Sequence, residues 1–247
     1  MERDGVRPTL EIVIPARNEA RRLPRGLSLL CEKLRDHDAA VIVVDNASED
    51  QTAPIVRAWP QPIGLLRCEQ VGKGAAVRAG LLATTARWVG YCDADMATDL
   101  AALDIALDLL AAGHRVVLGS RRHVGSVVDS RRHPLRKVGA VAFNRMSRDL
   151  VNGVRDTQCG FKFFDGDLAR TVAAGLSTTG FAFDVELLMR CAATGASLTE
   201  IPVEWRDVPD STFSLRRHTV GCARDLIAIR RMRRAPAATR LPELQVG

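Results

Sequence analysis

Short apolar runs alternate with amphipathic stretches along the first half of the chain. The apolar runs have the length of buried strands and occupy residues 10–15, 40–45, 63–68, 88–93 and 115–120. Between them, helical spacing of apolar positions predicts helices at residues 19–35, 52–59, 74–87 and 98–112, with Thr98 capping the last helix and Gly113 ending it. This succession predicts an α/β fold, a Rossmann-like, mainly parallel sheet flanked by helices that binds ligands at the carboxyl ends of its strands.

The alternation breaks after residue 120. Residues 121–137 are basic and poor in large apolar side chains, which predicts a loop leading into a helix at 138–150. Strands at 161–164 and 197–205 and helices at 184–194 and 214–234 complete the prediction. No linker divides the chain, so we expect one domain over residues 1–213, followed by a basic amphipathic helix and tail at 214–247. The apolar side of that helix would comprise Val220, Ala223, Leu226, Ile227 and Met232.

The composition is that of an ordinary soluble globular protein. The 247 residues are 47% hydrophobic and 26% charged, which excludes a disordered or collagen-like chain. Six scattered cysteines without a CxxC pair indicate free thiols in a reducing compartment. There is no signal-peptide pattern, and no apolar run reaches the ~20 residues of a membrane span. We therefore expect a cytoplasmic protein whose membrane contact, if it has any, is peripheral and at the inner face.

The net charge of +6 is unevenly distributed. Residues 115–148 carry +8 and residues 214–234 carry +6, which leaves −8 on the rest of the chain. Two positive regions on an acidic body suit contact with phosphate groups or an anionic membrane, although arginines that only keep a surface soluble are the alternative. A nucleic-acid partner is not expected, because stacking aromatic residues are few and no DNA- or RNA-binding motif is present.

Polar residues follow three of the first four predicted strands. Pro15-Ala16-Arg17-Asn18-Glu19 closes the first strand, Asp45-Asn46 the second and Asp93-Ala94-Asp95 the fourth. Because the carboxyl ends of parallel strands meet at one edge, these groups should form a single site. Alternate residues of an extended chain point the same way, so Asp93 and Asp95 would present two carboxylates to a divalent cation that also binds phosphate. Taken singly, each group also fits a turn or a helix cap.

Gly72-Lys73-Gly74 precedes a predicted helix and could offer backbone N–H groups and an ammonium to an anion. It is neither a Walker A loop nor a dinucleotide fingerprint, so a plain helix-entry turn is the alternative. The histidines and cysteines lack zinc-site spacing, and the Ser- and Thr-containing residues 171–179 lack the setting of a nucleophile elbow. Neither a zinc site nor a covalent hydrolase is expected.

Taken in order, these motifs resemble those of the family 2 glycosyltransferases with the GT-A fold, over about residues 11–211. The similar segments are IPARNE at 14–19, VVDNAS at 43–48, GKG at 72–74 and DAD at 93–95. Four more resemble the dolichyl-phosphate glucosyltransferase branch: DMATD at 95–99, GSR at 119–121, DTQCGFK at 156–162 and FDVE at 183–186. The combination is far more specific than any one motif.

The resemblance implies a metal-dependent, inverting transfer of a hexose, glucose in this branch, from a UDP-sugar to a polyprenyl phosphate. Asp93 and Asp95 would hold Mg²⁺ or Mn²⁺, and Arg121 and Lys162 would face phosphate groups, stabilising the charge of the departing diphosphate. Arg17 stands where the family has Tyr, Asn46 where it has a second Asp, and residues 210–212 (DST) where it has Gly-Ser-Lys. The implied nucleotide-sugar site also includes Pro15, Arg17, Glu19, Val44, Asp45, Asn46, Lys73 and Ala94.

The acceptor decides whether a catalytic base is needed. A polyprenyl phosphate is already ionised at neutral pH and needs none; the basic loop would hold its phosphate while the helix at 214–234 lies on an anionic bilayer. A hydroxyl acceptor, as in a soluble natural-product or polysaccharide pathway, needs a carboxylate such as Asp184 or Glu186, although Asp184 also suits a helix cap. A catalytically inactive sugar-nucleotide sensor is a further alternative, and the sequence does not predict an oligomeric state.

Overall fold

The computed structural model describes residues 7–129, 143, 145–147, 149–208 and 215–234, with the side chains of the last helix described for residues 221–233. The strands are β1 (Leu10–Ala16), β2 (Ala39–Asp45), β3 (Gly64–Arg67), β4 (Trp88–Cys92), β5 (Val116–Ser120), β6 (Val127–Asp129), β7 (Phe161–Asp165), β8 (Leu198–Pro202) and β9 (Glu204–Arg206). The helices are α1 (Leu23–Lys33), α2 (Thr52–Arg57), α3 (Lys73–Ala83), α4 (Ala102–Ala111), α5 (Gly166–Ala174), α6 (Phe183–Ala193) and α7 (Leu215–Arg234).

Seven strands form one sheet in the order β3-β2-β1-β4-β7-β5-β8, and β6 pairs with β9 in a small second sheet. All neighbours in the large sheet are parallel except β7, which runs antiparallel to both β4 and β5. The prediction of a mainly parallel sheet flanked by helices is therefore confirmed. Because β7 enters the sheet from the opposite direction, its first residues reach the edge where β1, β2, β4 and β5 end.

Two apolar cores cover the two faces of the sheet. One contains side chains of α1, α2 and α4, and the other contains side chains of α3, α5, α6 and α7. The central strands are buried on both faces, which explains why they occur in the sequence as continuous apolar runs rather than as alternating patterns. The edge strand β3 has no fully buried residue and is four residues long.

The structure differs from the sequence prediction in several elements. The predicted strand at 197–205 is two strands, β8 and β9, which join different sheets. Residues 127–129, expected in a loop, form β6 against β9, and α5 was not predicted. Thr98 does not cap α4, which begins at Ala102; it is buried and forms a bridge with Trp205. The predicted helix at 138–150 lies partly outside the described residues, although 143 and 145–147 are helical; the DST segment at 210–212 and the tail after 236 lie outside them.

Helix α7 packs on α6 and contributes to the core. Leu226 and Ile229 are fully buried, whereas Ile227 is 48% exposed. The sequence prediction placed Ile227 on the apolar side and was wrong, because the buried stripe runs through residue 229 instead. Val220 lies outside the described side chains. Among the described residues no helix combines the length and apolarity needed to cross a membrane.

Candidate active site

The polar residues predicted from strand ends do meet at one edge of the sheet. The backbone N–H of Asn46, after β2, donates to the carbonyl of Ala16 at the end of β1 (2.8 Å). The N–H of Asp93, after β4, donates to the carbonyl of Gly160, just before β7 (3.0 Å). Each bond joins two neighbouring segments, and the parallel pairing of β1 with β4 connects the two pairs.

Asp93 and Asp95 lie in a turn rather than in extended chain. The N–H of Met96 donates to the carbonyl of Asp93 (3.0 Å), and Met96 has a positive φ of 44°. Asp93 Oδ1 lies 2.6 Å from Lys73 Nζ, and Asp95 Oδ2 lies 3.5 Å from Arg22 Nη1. The expected strand alternation is therefore not what brings the two carboxylates together; the turn does this.

The protonation of the two carboxyls is shifted in opposite directions. Burial acts to raise the pKa of Asp93, but the charge and hydrogen bond of Lys73, together with the charges of Lys162 and Arg121, outweigh it and hold that pKa below its usual range. Burial and the charge of Asp93 together raise the pKa of Asp95. The charge of Asp93 thus raises the pKa of Asp95, as expected for two carboxyl groups that lie close together.

This pair fits a hard divalent cation. Both side chains are partly exposed, 38% for Asp93 and 23% for Asp95, and offer only oxygen atoms. Among the described residues no group of three or more His, Cys, Asp or Glu side chains could enclose a metal. Mg²⁺ and similar ions commonly take one or two carboxylates from the protein and complete their shell with water and substrate phosphates.

Lys73 is held in place by the two glycines beside it. Gly72 has a φ of +142°, and a Cβ there would lie 2.2 Å from the carbonyl oxygen of Thr179. A Cβ on Gly74 would lie 2.4 Å from the carbonyl oxygen of Thr178. The glycines allow the first turn of α3 to press against this neighbouring loop, and Lys73 then points to Asp93.

Asn46 holds the segment that leads to Lys73. Its side-chain nitrogen donates to the carbonyls of Cys68 (3.2 Å) and Gln70 (2.7 Å), and its side-chain oxygen accepts the N–H of Gly72 (2.7 Å). The side chain is 3% exposed. An aspartate, the residue expected here from the family resemblance, could not donate to the two carbonyls.

The other predicted nucleotide-binding residues differ in accessibility. Arg17 is exposed and Pro15 partly so, whereas Ala94 is buried. Asp45 is 3% exposed, and its Oδ1 accepts the N–H of Ser48 (3.2 Å). Val44 is fully buried in the core, so the structure does not support a side-chain contact between it and a nucleotide.

Arg22, which is not among the predicted site residues, links Glu19 to Asp95. Its guanidinium pairs with Glu19 Oε1 and approaches Asp95. Glu19 is 9% exposed, its Oε2 has no hydrogen-bond partner, and burial raises its pKa to about 7 against the opposing effect of Arg22. The sequence signal was the three-residue spacing of Glu19 and Arg22, which places both on one side of the turn entering α1.

Arg121 forms a two-pronged ion pair at the end of β5. Its Nε and Nη2 donate to the two carboxylate oxygens of Asp156, at 2.7 and 2.8 Å, and its backbone N–H also donates to Oδ2 (3.1 Å). Burial acts against ionisation of Asp156, but Arg121 lowers its pKa to about 2. The guanidinium that was predicted to face a phosphate is thus first of all the partner of Asp156.

Lys162, Asp184 and Tyr91 form a buried polar cluster beneath the site. Lys162 is fully buried, and its Nζ donates to Tyr91 Oη (2.8 Å), the Cys159 carbonyl (2.7 Å) and Asp184 Oδ1 (2.6 Å). Tyr91 also donates to Asp184. The predictions that Lys162 faces a phosphate and that Asp184 serves as a base do not agree with this arrangement, because the donors of the ammonium are all used and the carboxylate is inside the protein.

Glu186, the second candidate base, is also sequestered. It is fully buried and accepts the N–H groups of Ser177 (3.1 Å) and Thr178 (2.7 Å) and the Nε of Arg190 (2.8 Å). Burial opposes ionisation, but these donors outweigh it and lower the pKa of Glu186. Its role is to join α6 to the loop before it.

Gly160 sets the space available to Asp93. A Cβ on this residue would lie 2.1 Å from the carboxyl carbon of Asp93. Any side chain here would therefore displace the carboxylate, unless the backbone moved. The glycine was visible in the sequence as part of the DTQCGFK motif, but only the tertiary structure shows what it adjoins.

The sequence is similar to those of known proteins. The model of the family described as Glycosyl transferase family 2 matches residues 11–173. The dolichyl-phosphate beta-glucosyltransferase of Dictyostelium discoideum is 32% identical over 240 residues, covering 90% of this chain and 73% of that protein. The Homo sapiens protein of the same name is 32% identical over 248 residues, covering 92% and 76%.

Solved structures match the fold. Glucosyl-3-phosphoglycerate synthase from Mycobacterium tuberculosis, crystallised with Mn²⁺, uridine diphosphate and phosphoglyceric acid, has a TM-score of 0.68 at 20% identity, covering 94% of this chain and 80% of that one. Mannosyl-3-phosphoglycerate synthase from Rubrobacter xylanophilus has a TM-score of 0.65 at 18% identity, covering 97% and 77%. These likenesses confirm the predicted GT-A fold.

Proposed function

Because the chain belongs to glycosyl transferase family 2, we propose that it transfers glucose from UDP-glucose to a polyprenyl phosphate, with inversion at the sugar carbon and with Mg²⁺ or Mn²⁺. The names of its relatives in Dictyostelium and Homo sapiens support the glucose and the lipid phosphate. The uridine diphosphate and Mn²⁺ or Mg²⁺ in structures of the Mycobacterium tuberculosis enzyme support the nucleotide and the metal.

The observation that carries the acceptor assignment is the burial of both candidate bases. Asp184 is 2% exposed and paired with Lys162, and Glu186 is fully buried and paired with Arg190. Neither carboxylate can reach a hydroxyl acceptor without breaking these pairs. An acceptor phosphate is already ionised at neutral pH and needs no base. The burial of Asp184 and Glu186 therefore favours a phosphate acceptor over a hydroxyl acceptor.

On the donor side, Asp93 and Asp95 would hold the metal, and Lys73 and Arg22 lie next to them as the neighbouring cations. The metal, when bound, supplies positive charge to the departing diphosphate. Pro15, Arg17, Glu19, Asp45 and Asn46 surround the place for the nucleoside at the ends of β1 and β2. Asn46 acts there by holding the loop, since its amide is already bonded.

On the acceptor side, we place the lipid phosphate next to Arg121 and Arg122, after the end of β5. Arg121 is kept cationic and fixed by Asp156, and its side chain is 19% exposed. The sequence continues with five further basic residues, counting His133, at positions 131–137. This concentration of positive charge suits a phosphate monoester.

We also assign a peripheral membrane contact to α7. Arg224, Ile227, Ala228 and Arg231 are exposed and recur at helical spacing, so they form one outward stripe. Asp225 is turned inward, where a Cβ on Gly180 would lie 2.9 Å from its Oδ2. A cationic stripe with an apolar side chain matches a helix that rests on an anionic bilayer.

The direct test is a product assay with purified protein, Mn²⁺ and UDP-glucose, using polyprenyl phosphate, the corresponding polyprenol or a soluble alcohol as acceptor. We expect lipid-linked glucose by mass spectrometry with the phosphate alone, and none from the Asp93→Asn or Asp95→Asn variants. Product from polyprenol or from the alcohol, without product from the phosphate, would overturn the acceptor assignment. GDP-mannose in place of UDP-glucose tests the donor in the same way.

The membrane contact has its own test in co-sedimentation with phosphatidylserine vesicles. The Arg224→Gln/Arg231→Gln variant should bind roughly thirtyfold less, since two basic residues near an anionic surface together contribute about 2 kcal/mol. Arg35→Gln/Arg57→Gln removes two exposed arginines on the opposite face of the sheet and serves as the control. Equal loss in both variants would show that only net charge matters, which would contradict the assignment to α7.

A further inference from the structure

The ammonium of Lys73 contacts one of the two carboxylate oxygens that Asp93 could offer to a metal ion. Its Nζ lies 2.6 Å from Asp93 Oδ1, and the side chain is 18% exposed. An ammonium and a divalent cation on the same carboxylate repel each other strongly in a partly buried setting. The free protein therefore neutralises part of its own metal site.

The main chain of Lys73 cannot move aside easily. Gly72 and Gly74 are pressed against the carbonyls of Thr179 and Thr178, and the N–H of Gly74 donates to the Thr179 carbonyl (2.8 Å). Asn46 fixes the Gly72 N–H from the other side (2.7 Å). What remains mobile is the side chain, whose four-carbon stem lets the ammonium change partner.

The second cation of the site is held differently. Arg22 approaches Asp95 only at 3.5 Å and is anchored by Glu19.

Lys73 also begins an 11-residue helix, α3, whose N-terminus favours an anion nearby. An incoming phosphate at this helix end would attract the ammonium of Lys73 and release Asp93.

We propose that Lys73 is the resident counter-ion of Asp93 in the donor-free enzyme and moves to the phosphates of the donor when the metal binds. The metal and the nucleoside diphosphate then bind synergistically, because the binding of either one favours the movement of Lys73 that the other requires. This proposal rests on the proposed nucleoside-diphosphate donor, and it concerns binding alone, independent of the acceptor.

The test is a calorimetric titration of the protein with Mn²⁺, with and without saturating UDP, checked by the electron paramagnetic resonance signal of free Mn²⁺. Wild-type protein should bind Mn²⁺ weakly alone and at least about tenfold more tightly with UDP. Lys73→Met should bind Mn²⁺ alone at least about tenfold more tightly than wild type, because the competing charge is gone. The same variant should lose most of the gain from UDP.

Arg170→Met is the matched control, because Arg170 pairs with Asp167 at a similar distance, 2.7 Å, and lies beside Ala86 before the start of β4, away from the site. It should leave both Mn²⁺ affinities unchanged. If Lys73→Met does not fold, as judged by thermal melting, Lys73→Gln removes the same charge and carries the same expectation. Unchanged or weaker binding of Mn²⁺ alone by the neutral variant would overturn the role of Lys73. Failure of wild type to bind UDP would instead overturn the proposed donor, and the UDP-free comparison would still decide the role of Lys73.

Discussion

The ion pair between Arg121 and Asp156 should stabilise the fold in a strongly pH-dependent way. Asp156 is 1% exposed, and its pKa is lowered from 3.8 to about 2, against the effect of burial, by the hydrogen bonds and charge of Arg121. A shift of this size corresponds to about 2 kcal/mol of folding free energy. Replacing Asp156 with Asn should therefore cost at least about 2 kcal/mol at pH 7, since Arg121 also loses its counter-charge.

The sign of the pH dependence follows from the direction of the shift. The carboxyl is more acidic in the folded state than in the unfolded chain, so its contribution is complete above about pH 4 and disappears as the pH falls toward 2. Arg121 stays protonated throughout, because burial is outweighed by Asp156 and its pKa is raised above the usual value. Only the carboxylate of this pair titrates.

Urea denaturation at pH 7, 4 and 3 measures the effect in wild type and in Asp156→Asn. The difference in the free energy of unfolding should be largest at pH 7 and shrink toward pH 3. Asp167→Asn breaks the Arg170 ion pair, which also measures 2.7 Å but has Asp167 91% exposed, and should cost less than about 1 kcal/mol. A difference in the free energy of unfolding that does not change with pH, or that is no larger than the one caused by Asp167→Asn, would refute the reasoning.

Three further predictions concern the site and the cluster beneath it. Gly160→Ala should abolish Mn²⁺-dependent turnover while changing the melting temperature little. The new Cβ would lie 2.1 Å from the carboxyl carbon of Asp93 and would displace that carboxylate. Wild-type turnover in this variant would contradict the prediction. Lys162→Met should destabilise the protein by about 3–5 kcal/mol in urea denaturation, since it strands the carboxylate of Asp184 inside the protein; a cost below about 1 kcal/mol would be inconsistent with a buried ion pair. Burial raises the pKa of Glu19 to about 7, so the folded state holds its proton more tightly and stability should decline as the pH rises from about 4.5 to 7. Glu19→Gln should remove that decline in urea titrations across the interval, and an unchanged slope would assign it to other groups.

Most of the sheet could be predicted from the sequence because burial leaves a direct record in it. Strands covered on both faces occur as continuous apolar runs, and β1, β2, β4 and β5 were found on that basis. The predictions were wrong for elements that are partly or wholly exposed. The strand β6 consists of three exposed residues, so no apolar run identified it. Ile227 and Ile229 are chemically identical, and only the packing of α7 on α6 decides which one is buried.

The candidate site could likewise be predicted only in part. Asp93, Asp95 and Lys73 were identified from their positions at a strand end and a helix start, because those positions are local properties of the chain. Lys162 and Asp184 were identified as well, but their roles were not. Lys162 lies opposite Tyr91 in the antiparallel pairing of β7 with β4, and that register carries its ammonium into the interior.

The succession of elements, the family resemblance and the sheet edge at which the polar groups meet could be predicted from neighbouring residues, because each is a local property of the chain. The partner of each charged group, in contrast, depends on the assembled fold. Lys73 with Asp93, Arg121 with Asp156 and Lys162 with Asp184 are paired across distant parts of the chain. Whether a carboxylate can act as a base, hold a metal or support the fold depends on its burial and its partner, and both are properties of the assembled fold.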